Sequence, residues 1–343
     1  LTLNTRELLS HHESILHTVT THTPDILFLT ETKIPTRLHY SMGSAKKGLS
    51  SHYQTYTSNA PYNPREGTRP HAGVMVGVTH RFSRPSGTTD MNAHNTDARL
   101  AGHVCHIRIA PPHSTPVHAI GIYAPSDDAT RAAIYKYCTD QAAKTTAAKE
   151  HLLMGGDWNA VLFPSDRSTG ELNATDRAHI AFATSAGLHP LTPPTHEHPR
   201  PHTYLQDQAT APHMSRIDDL LVSHHTHAII TTTGGGQEAV HECGDALDHR
   251  ALLSSVPLAA LRLYPFPTAP AAPSDPDAWV NYHPPTKDQR EKARIKMEET
   301  IGQEIADLLN TLHPAHLAIT NKLYPAGLTP AQAERNTPSP AEF

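Results

Sequence analysis

Leu152-Leu153-Met154-Gly155-Gly156-Asp157-Trp158-Asn159-Ala160 is the stretch on which the reading of this chain turns. Leu152 to Met154 form a short apolar strand candidate that runs into two glycines and then an acid. Asp157 and Asn159 are two residues apart, so in an extended chain their side chains point the same way. A carboxylate that only accepts hydrogen bonds, beside an amide that also donates, suits holding a water against a phosphate. The same Asp also reads as a turn or helix cap. The glycines before it favour the first reading.

Working outward, apolar strands alternate with helices. Thr5 to Thr20 carries Leu8, Leu9, Ile15, Leu16 and Val19 at helical spacing, and Pro24-Asp25 then introduces a strand from Ile26 to Leu29. Further strands are expected at Gly73 to Val78, Val104 to Ile109, Val117 to Tyr123, Ile217 to Val222, Ala228 to Thr232 and Ala251 to Val256. Ala129 to Ala148 and Thr175 to Ala186 read as helices. Strands are too many, and their connections too irregular, for one helix per strand. Two sheets packed face to face with helices outside fit better.

Five other motifs surround the opening one. Leu3-Asn4 ends a strand that begins the chain; an Asn there is commonly a turn residue. Leu29-Thr30-Glu31-Thr32-Lys33 places a carboxylate at a strand's C-terminal end, where α/β proteins bind ligands. Magnesium prefers such oxygen ligands and keeps several waters, so one Glu can be its main protein ligand; a solvated Glu next to Lys is the plainer alternative. Ala119 to Pro125 puts Tyr123 at a strand end, its hydroxyl available to a phosphate oxygen or simply to solvent. Ser215-Arg216-Ile217-Asp218 carries an acid that can orient an imidazole, and Asp248-His249 offers one. In a chain with 28 His, a single Asp-His pair has little weight alone, since scattered histidines are mostly surface residues.

With 28 Lys+Arg against 33 Asp+Glu and a net charge of -5, the 343-residue chain has no global basic field for nucleic acid. Cys105, Cys138 and Cys243 lie far apart without zinc-type spacing, which reads as free thiols in a reducing compartment. No apolar run approaches membrane-spanning length, and no secretory leader is expected. The chain opens on Leu1 inside a strand pattern, as a fragment lacking its first residues would. Residues 1–257 are expected to form the main domain. Residues 258–285 read as a Pro/Ala-rich linker, because proline lacks an amide donor and fixes φ. Thr286 and Gln289 then make a capping box for an amphipathic helix over 286–313, whose Met297, Ile301, Ile305, Leu308 and Leu312 share one face that must dock on something. Residues 314–343 read as a disordered tail.

Taken in order, the motifs Asn4, Glu31, Tyr123, Gly156-Asp157-Trp158-Asn159, Ser215-Arg216-Ile217-Asp218 and Asp248-His249 resemble those of the endonuclease/exonuclease/phosphatase (exonuclease III-like) superfamily over residues 1 to about 257. The wording GDWNA, Ser165-Asp166-Arg167 and SRIDDLLVS is most similar to endonuclease domains of non-LTR (LINE-type) retrotransposons. The resemblance implies an α/β (α+β) fold of DNase I type: a four-layer α/β sandwich of two packed mixed sheets flanked by helices. It implies a Mg2+-dependent phosphodiester hydrolase (Mn2+ as substitute) that nicks DNA and is active in the nucleus. A downstream reverse transcriptase would belong to the same polyprotein; neither a membrane nor a homo-oligomer is expected. It assigns Glu31 and Asn4 to the metal, and Asp248 to the metal's shell or to the leaving group. It gives Asp157 to the attacking water, Asn159, Tyr123 and His249 to the phosphate, and Asp218 to orienting His249. Arg6 stands where relatives carry Asp or Asn, and Ser215 where apurinic endonucleases carry Trp. A phosphoesterase on inositol phosphates or lipid phosphodiesters, and an inactive nucleic-acid-binding copy, are the alternatives. Target preference is expected to reside in the loops Tyr40 to Pro70 and His196 to Met214.

Overall fold

The computed structural model describes residues 1–34, 49–59, 72–83, 87–91, 93, 96–192, 200–206, 213–233, 236–241, 243, 247–256 and 261–263. Contacts divide the chain into units 1–269 and 270–343. The second unit lies outside the described residues, as do the helix expected over 286–313, the tail 314–343 and nearly all of the linker 258–285. Most of the two loops expected to carry specificity lies outside them too.

Two six-stranded mixed sheets form the first unit. The first sheet contains β1 (Thr2–Asn4), β2 (Ile26–Thr30), β3 (Tyr53–Ser58), β4 (Val74–Thr79), β13 (Gln237–His241) and β14 (Ala251–Ser255), in the order β13-β14-β1-β2-β4-β3. The second contains β5 (Thr88–Asp90), β6 (Val104–Ile109), β7 (Val117–Tyr123), β8 (His151–Asp157), β9 (Leu188–Pro190) and β12 (Asp218–Ser223), in the order β5-β6-β7-β8-β12-β9. A separate hairpin pairs β10 (Tyr204–Gln206) with β11 (His213–Ser215).

The inner faces meet through Phe28, Val74 and Val76 of one sheet and Ile107, Val117, Leu153 and Val222 of the other. The outer face of the second sheet buries Ile120, Ile122, Leu152 and Met154 under α2 (Asp128–Ala148) and α3 (Ala174–Ser185), through Ile134, Cys138 and Phe182. On the first sheet, Leu3, Leu27 and Leu29 pack against Ile15 and Val19 of α1 (His12–His22). Central strands such as β2, β7 and β8 therefore alternate their apolar residues between two cores, and the layers run helix, sheet, sheet, helix. The four-layer sandwich is the architecture that the sequence implied.

One expected element is wrong. Ala228 to Thr232 is not a strand: it belongs to helix α4 (His224–Thr232). Its β-branched residues suggested a strand, but propensity yields to context. Ser223 caps the helix by accepting from Thr226 N, Ile230 is buried, and Thr231 and Thr232 turn their hydroxyls back onto the carbonyls of His227 and Ala228. Also, α1 starts at His12 rather than Thr5, because residues 5–11 form turns with Arg6 in the left-handed region at φ 51°.

Candidate active site

Two central parallel pairs build the site at their C-terminal ends. β1 lies beside β2 and β7 beside β8, and their last residues are Asn4, Thr30, Tyr123 and Asp157. β12 runs antiparallel to β8 with Asp218 opposite Asp157, so its first residue joins them. Gly156 explains the glycine before the acid. Its φ is +155°, and a Cβ there would lie 1.8 Å from the Ile122 carbonyl oxygen. Gly155 lies against Phe28 of the other sheet, where a Cβ would come within 2.5 Å of the ring. The two glycines let β8 fit between β7 and the opposing sheet, which brings Asp157 to Asn4.

Asn4, fully buried, donates through Nδ2 to Asp157 Oδ2 at 2.8 Å and to Glu31 Oε1 at 3.0 Å, and its Oδ1 accepts from the Arg6 amide at 2.9 Å. Asp157 also accepts from the Asn159 amide at 2.8 Å, and Asn159 Nδ2 donates to the Ala124 carbonyl at 3.0 Å. Asn159 and Glu31 both hold positive φ, 48° each, turning the chain sharply just past β8 and β2. His249 Nδ1 lies 2.8 Å from Asp218 Oδ2. Beside them, Arg6 reaches Asp248 at 3.3 Å and Lys33 reaches Glu31 Oε2 at 2.8 Å. The structure thus brings all eight residues singled out in the sequence to one end of the sandwich.

Their electrostatics differ sharply. Burial, reinforced by the charge of Asp218, holds the Asp157 carboxyl well above the usual range. Burial alone would lower His249, but the charge and hydrogen bond of Asp218 raise it to about 9, so it is an imidazolium at neutral pH. Burial, then the charges of Glu31 and Asp157, push the Tyr123 hydroxyl up, so it keeps its proton and can donate. Burial would raise Glu31, but Lys33 and Asn4 outweigh it and hold the carboxylate below its ordinary value.

Among the described residues, Asp157, Asp218 and His249 form a group whose ligand atoms all lie within 4.8 Å of one another. Within this trio His249 Nδ1 is engaged by Asp218 Oδ2 at 2.8 Å, and Asp157 Oδ2 accepts from Asn4 at 2.8 Å. Glu31, Asn4 and Asp248, the residues expected at a metal, offer the oxygen donors that a hard divalent cation prefers. Asp248 Oδ1 is buried with no hydrogen-bond partner. The cations of Arg6 and Lys33 already sit on Asp248 and Glu31, as charge compensation there requires.

The sequence reading missed Thr203 and Tyr204. Thr203, fully buried, accepts from the Asp218 amide at 3.0 Å, and Arg250 N donates to its carbonyl at 2.7 Å. Tyr204 packs on the His249 ring at 4.9 Å between centroids. Nothing local in Pro201-His202-Thr203-Tyr204 signals this. The contacts come from the bridge of Tyr204 to His249. Behind the site, buried Arg216 reaches Asp219 (3.1 Å) and Glu238 (2.9 Å), while Arg200 holds Asp166 (3.0 Å) and Asp219.

Similar folds occur in solved structures at low identity. The endonuclease domain of TRAS1, a telomere-specific non-LTR retrotransposon, superposes with TM-score 0.51 at 13% identity, over 74% of this chain and 97% of that one. The apurinic (AP) endonuclease LMAP from Leishmania major gives 0.57 at 13% identity, over 73% and 85%. The 3'-5' exonuclease NExo from Neisseria meningitidis gives 0.55 at 16% identity, over 74% and 98%. No curated protein sequence matches the chain. A model of the endonuclease/exonuclease/phosphatase family matches residues 1–275. The chain belongs to that family.

Proposed function

We propose that the chain is a magnesium-dependent phosphodiesterase that nicks DNA, as the endonuclease module of a non-LTR retrotransposon. The observation that carries this reading is a pair of buried groups at one site: Asp157, held by the side chain of Asn4 and the amide of Asn159, and His249, whose Nδ1 lies 2.8 Å from Asp218 Oδ2. In-line displacement at a phosphodiester needs this pair, a base for the attacking water and donors for the oxygens that become negative.

In this mechanism Asp157 orients the water, with Asn4 and Asn159 fixing its carboxylate, and accepts the water's proton. His249 and Tyr123 donate hydrogen bonds to the non-bridging oxygens, and Asp218 keeps the imidazole oriented. Thr203 fixes the start of β12 and so the direction of Asp218. Glu31, Asn4 and Asp248 would hold the divalent cation, magnesium or manganese, which supplies Lewis-acid polarisation of the phosphate. The similar structures, an endonuclease domain, an AP endonuclease and a 3'-5' exonuclease, support DNA as substrate, and the wording of the GDWNA and SRIDDLLVS motifs supports the retrotransposon branch.

Supercoiled plasmid incubated with the chain and Mg2+ should yield open circles, and EDTA should prevent this. Asp157→Ala and His249→Ala should each lower the rate by about a hundredfold or more. Nicking that survives both substitutions defeats the site assignment. Phosphate release from small phosphoesters without nicking would place the substrate elsewhere.

A further inference from the structure

At the far end of β12 from Asp218, three histidines converge. Ser223 ends the strand and caps α4, whose first turn supplies His224 and His227. Residues three apart on a helix share a face. β9 pairs with β12 so that His189 stands opposite Val222, and His224 N donates to the Gly187 carbonyl at 2.9 Å, which closes the strand end onto the helix start.

His224 Nδ1 lies 3.2 Å from His189 Nε2. His227 stacks on His189 with centroids 4.9 Å apart and planes at 23°. The His189 and His224 centroids are 5.2 Å apart. Two imidazole nitrogens on one tetrahedral cation, each about 2.0–2.1 Å from it, are separated by about 3.3 Å. The His189–His224 pair already stands at that separation. His227 lies face-on to His189, so its in-plane nitrogens do not point into that gap and it walls the pair instead. The His189 and His224 rings both reach solvent, so a hydrated ion has access.

We infer that His189 and His224 form a two-histidine binding site for a divalent transition-metal cation of the zinc class, completed by water and separate from the candidate active site. The donor chemistry distinguishes the two. Imidazole nitrogens favour zinc, copper(II) and nickel, whereas the carboxylate and carbonyl oxygens of Glu31, Asn4 and Asp248 favour magnesium or manganese. A cation there ties β9 to the first turn of α4 and stabilises the folded chain by mass action. This inference does not depend on the proposed nuclease function.

In a chain with 28 His, weak zinc binding at many places is expected, so the test concerns the tightest equivalent. The full chain, with excess Mg2+, is titrated with Zn2+ by calorimetry, and its melting temperature is followed with and without Zn2+. His224→Ala and His189→Ala should weaken the first equivalent about tenfold or more and abolish the zinc-induced rise in melting temperature. Their melting temperatures without zinc should match the parent; if His224→Ala melts early, the near-isosteric His224→Gln replaces it. Anomalous scattering at the zinc edge should place the ion between His189 Nε2 and His224 Nδ1. An unchanged first equivalent in both variants, or a peak at another group of histidines or at Asp157, Asp218 and His249, overturns the inference.

Discussion

His249 is 5% exposed and still binds its proton more tightly than a free imidazole, because Asp218 Oδ2 lies 2.8 Å from Nδ1. Since its folded value, about 9, lies above the ordinary 6.5, the pair's contribution to stability is complete below pH 6.5 and fades as pH rises through about 9. The separation corresponds to on the order of 3 kcal/mol. Thermal melts of the metal-free chain from pH 6 to pH 10 should show this loss, and His249→Gln should flatten the curve across that window. Identical slopes in parent and variant would assign the pH dependence to other groups. Asp157 runs the other way in function: its raised value lets it take up a proton near neutrality, while Asn4 and Asn159 keep it aligned when ionised.

β12 shows how an element, rather than a residue, aims the site. Its first residue faces His249, and its second, Asp219, joins Arg200 and Arg216 in a buried ionic network that reaches Asp166 and Glu238. Removing Arg216 takes the ion-pair partner from buried Glu238 and leaves Asp219 to Arg200 alone. Arg216→Met should therefore destabilise the fold by about 3–5 kcal/mol, read from denaturant midpoints, whereas a surface change such as Lys136→Met should cost under about 1 kcal/mol. β8 imposes the opposite constraint, the absence of a side chain. With a Cβ placed 1.8 Å from a backbone oxygen and φ at +155°, Gly156→Ala should cost more than about 3 kcal/mol, because neither strand can move without disrupting the parallel pair. Gly170→Ala, with nothing within 4 Å of the added atom, bears only the conformational cost of φ +71° and should be much milder. Equal losses at both positions would show that close approach is not the reason for the glycine in GDWN.

Over the whole molecule, a net charge of -5 gives no attraction to a polyanion, so any grip on DNA must be local. Arg6 is the rim cation best placed for it: its side chain is 52% exposed, and it leans on Asp248 at the mouth of the site. Arg6→Ala should weaken binding of a duplex oligonucleotide, measured by anisotropy in EDTA, and reduce the slope of log K against log salt by about one. An unchanged slope would leave Arg6 as a counter-ion to Asp248 alone. Among the described residues no helix is long and apolar enough to cross a membrane. The two-sheet sandwich was legible in the alternation of apolar strands such as Val117 to Tyr123, because local pattern dictates which face of a strand is apolar, and the candidate site residues through the resemblance of their ordered motifs to the family. The sequence by itself therefore determined strands such as β2, β6, β7 and β12, the family resemblance and the eight residues proposed for the site. Only the tertiary structure decided that AIITT coils into α4, that Thr203 and Tyr204 brace Asp218 and His249, and that His189 meets His224. Each of those depends on contacts between segments distant in the chain, which no local pattern encodes.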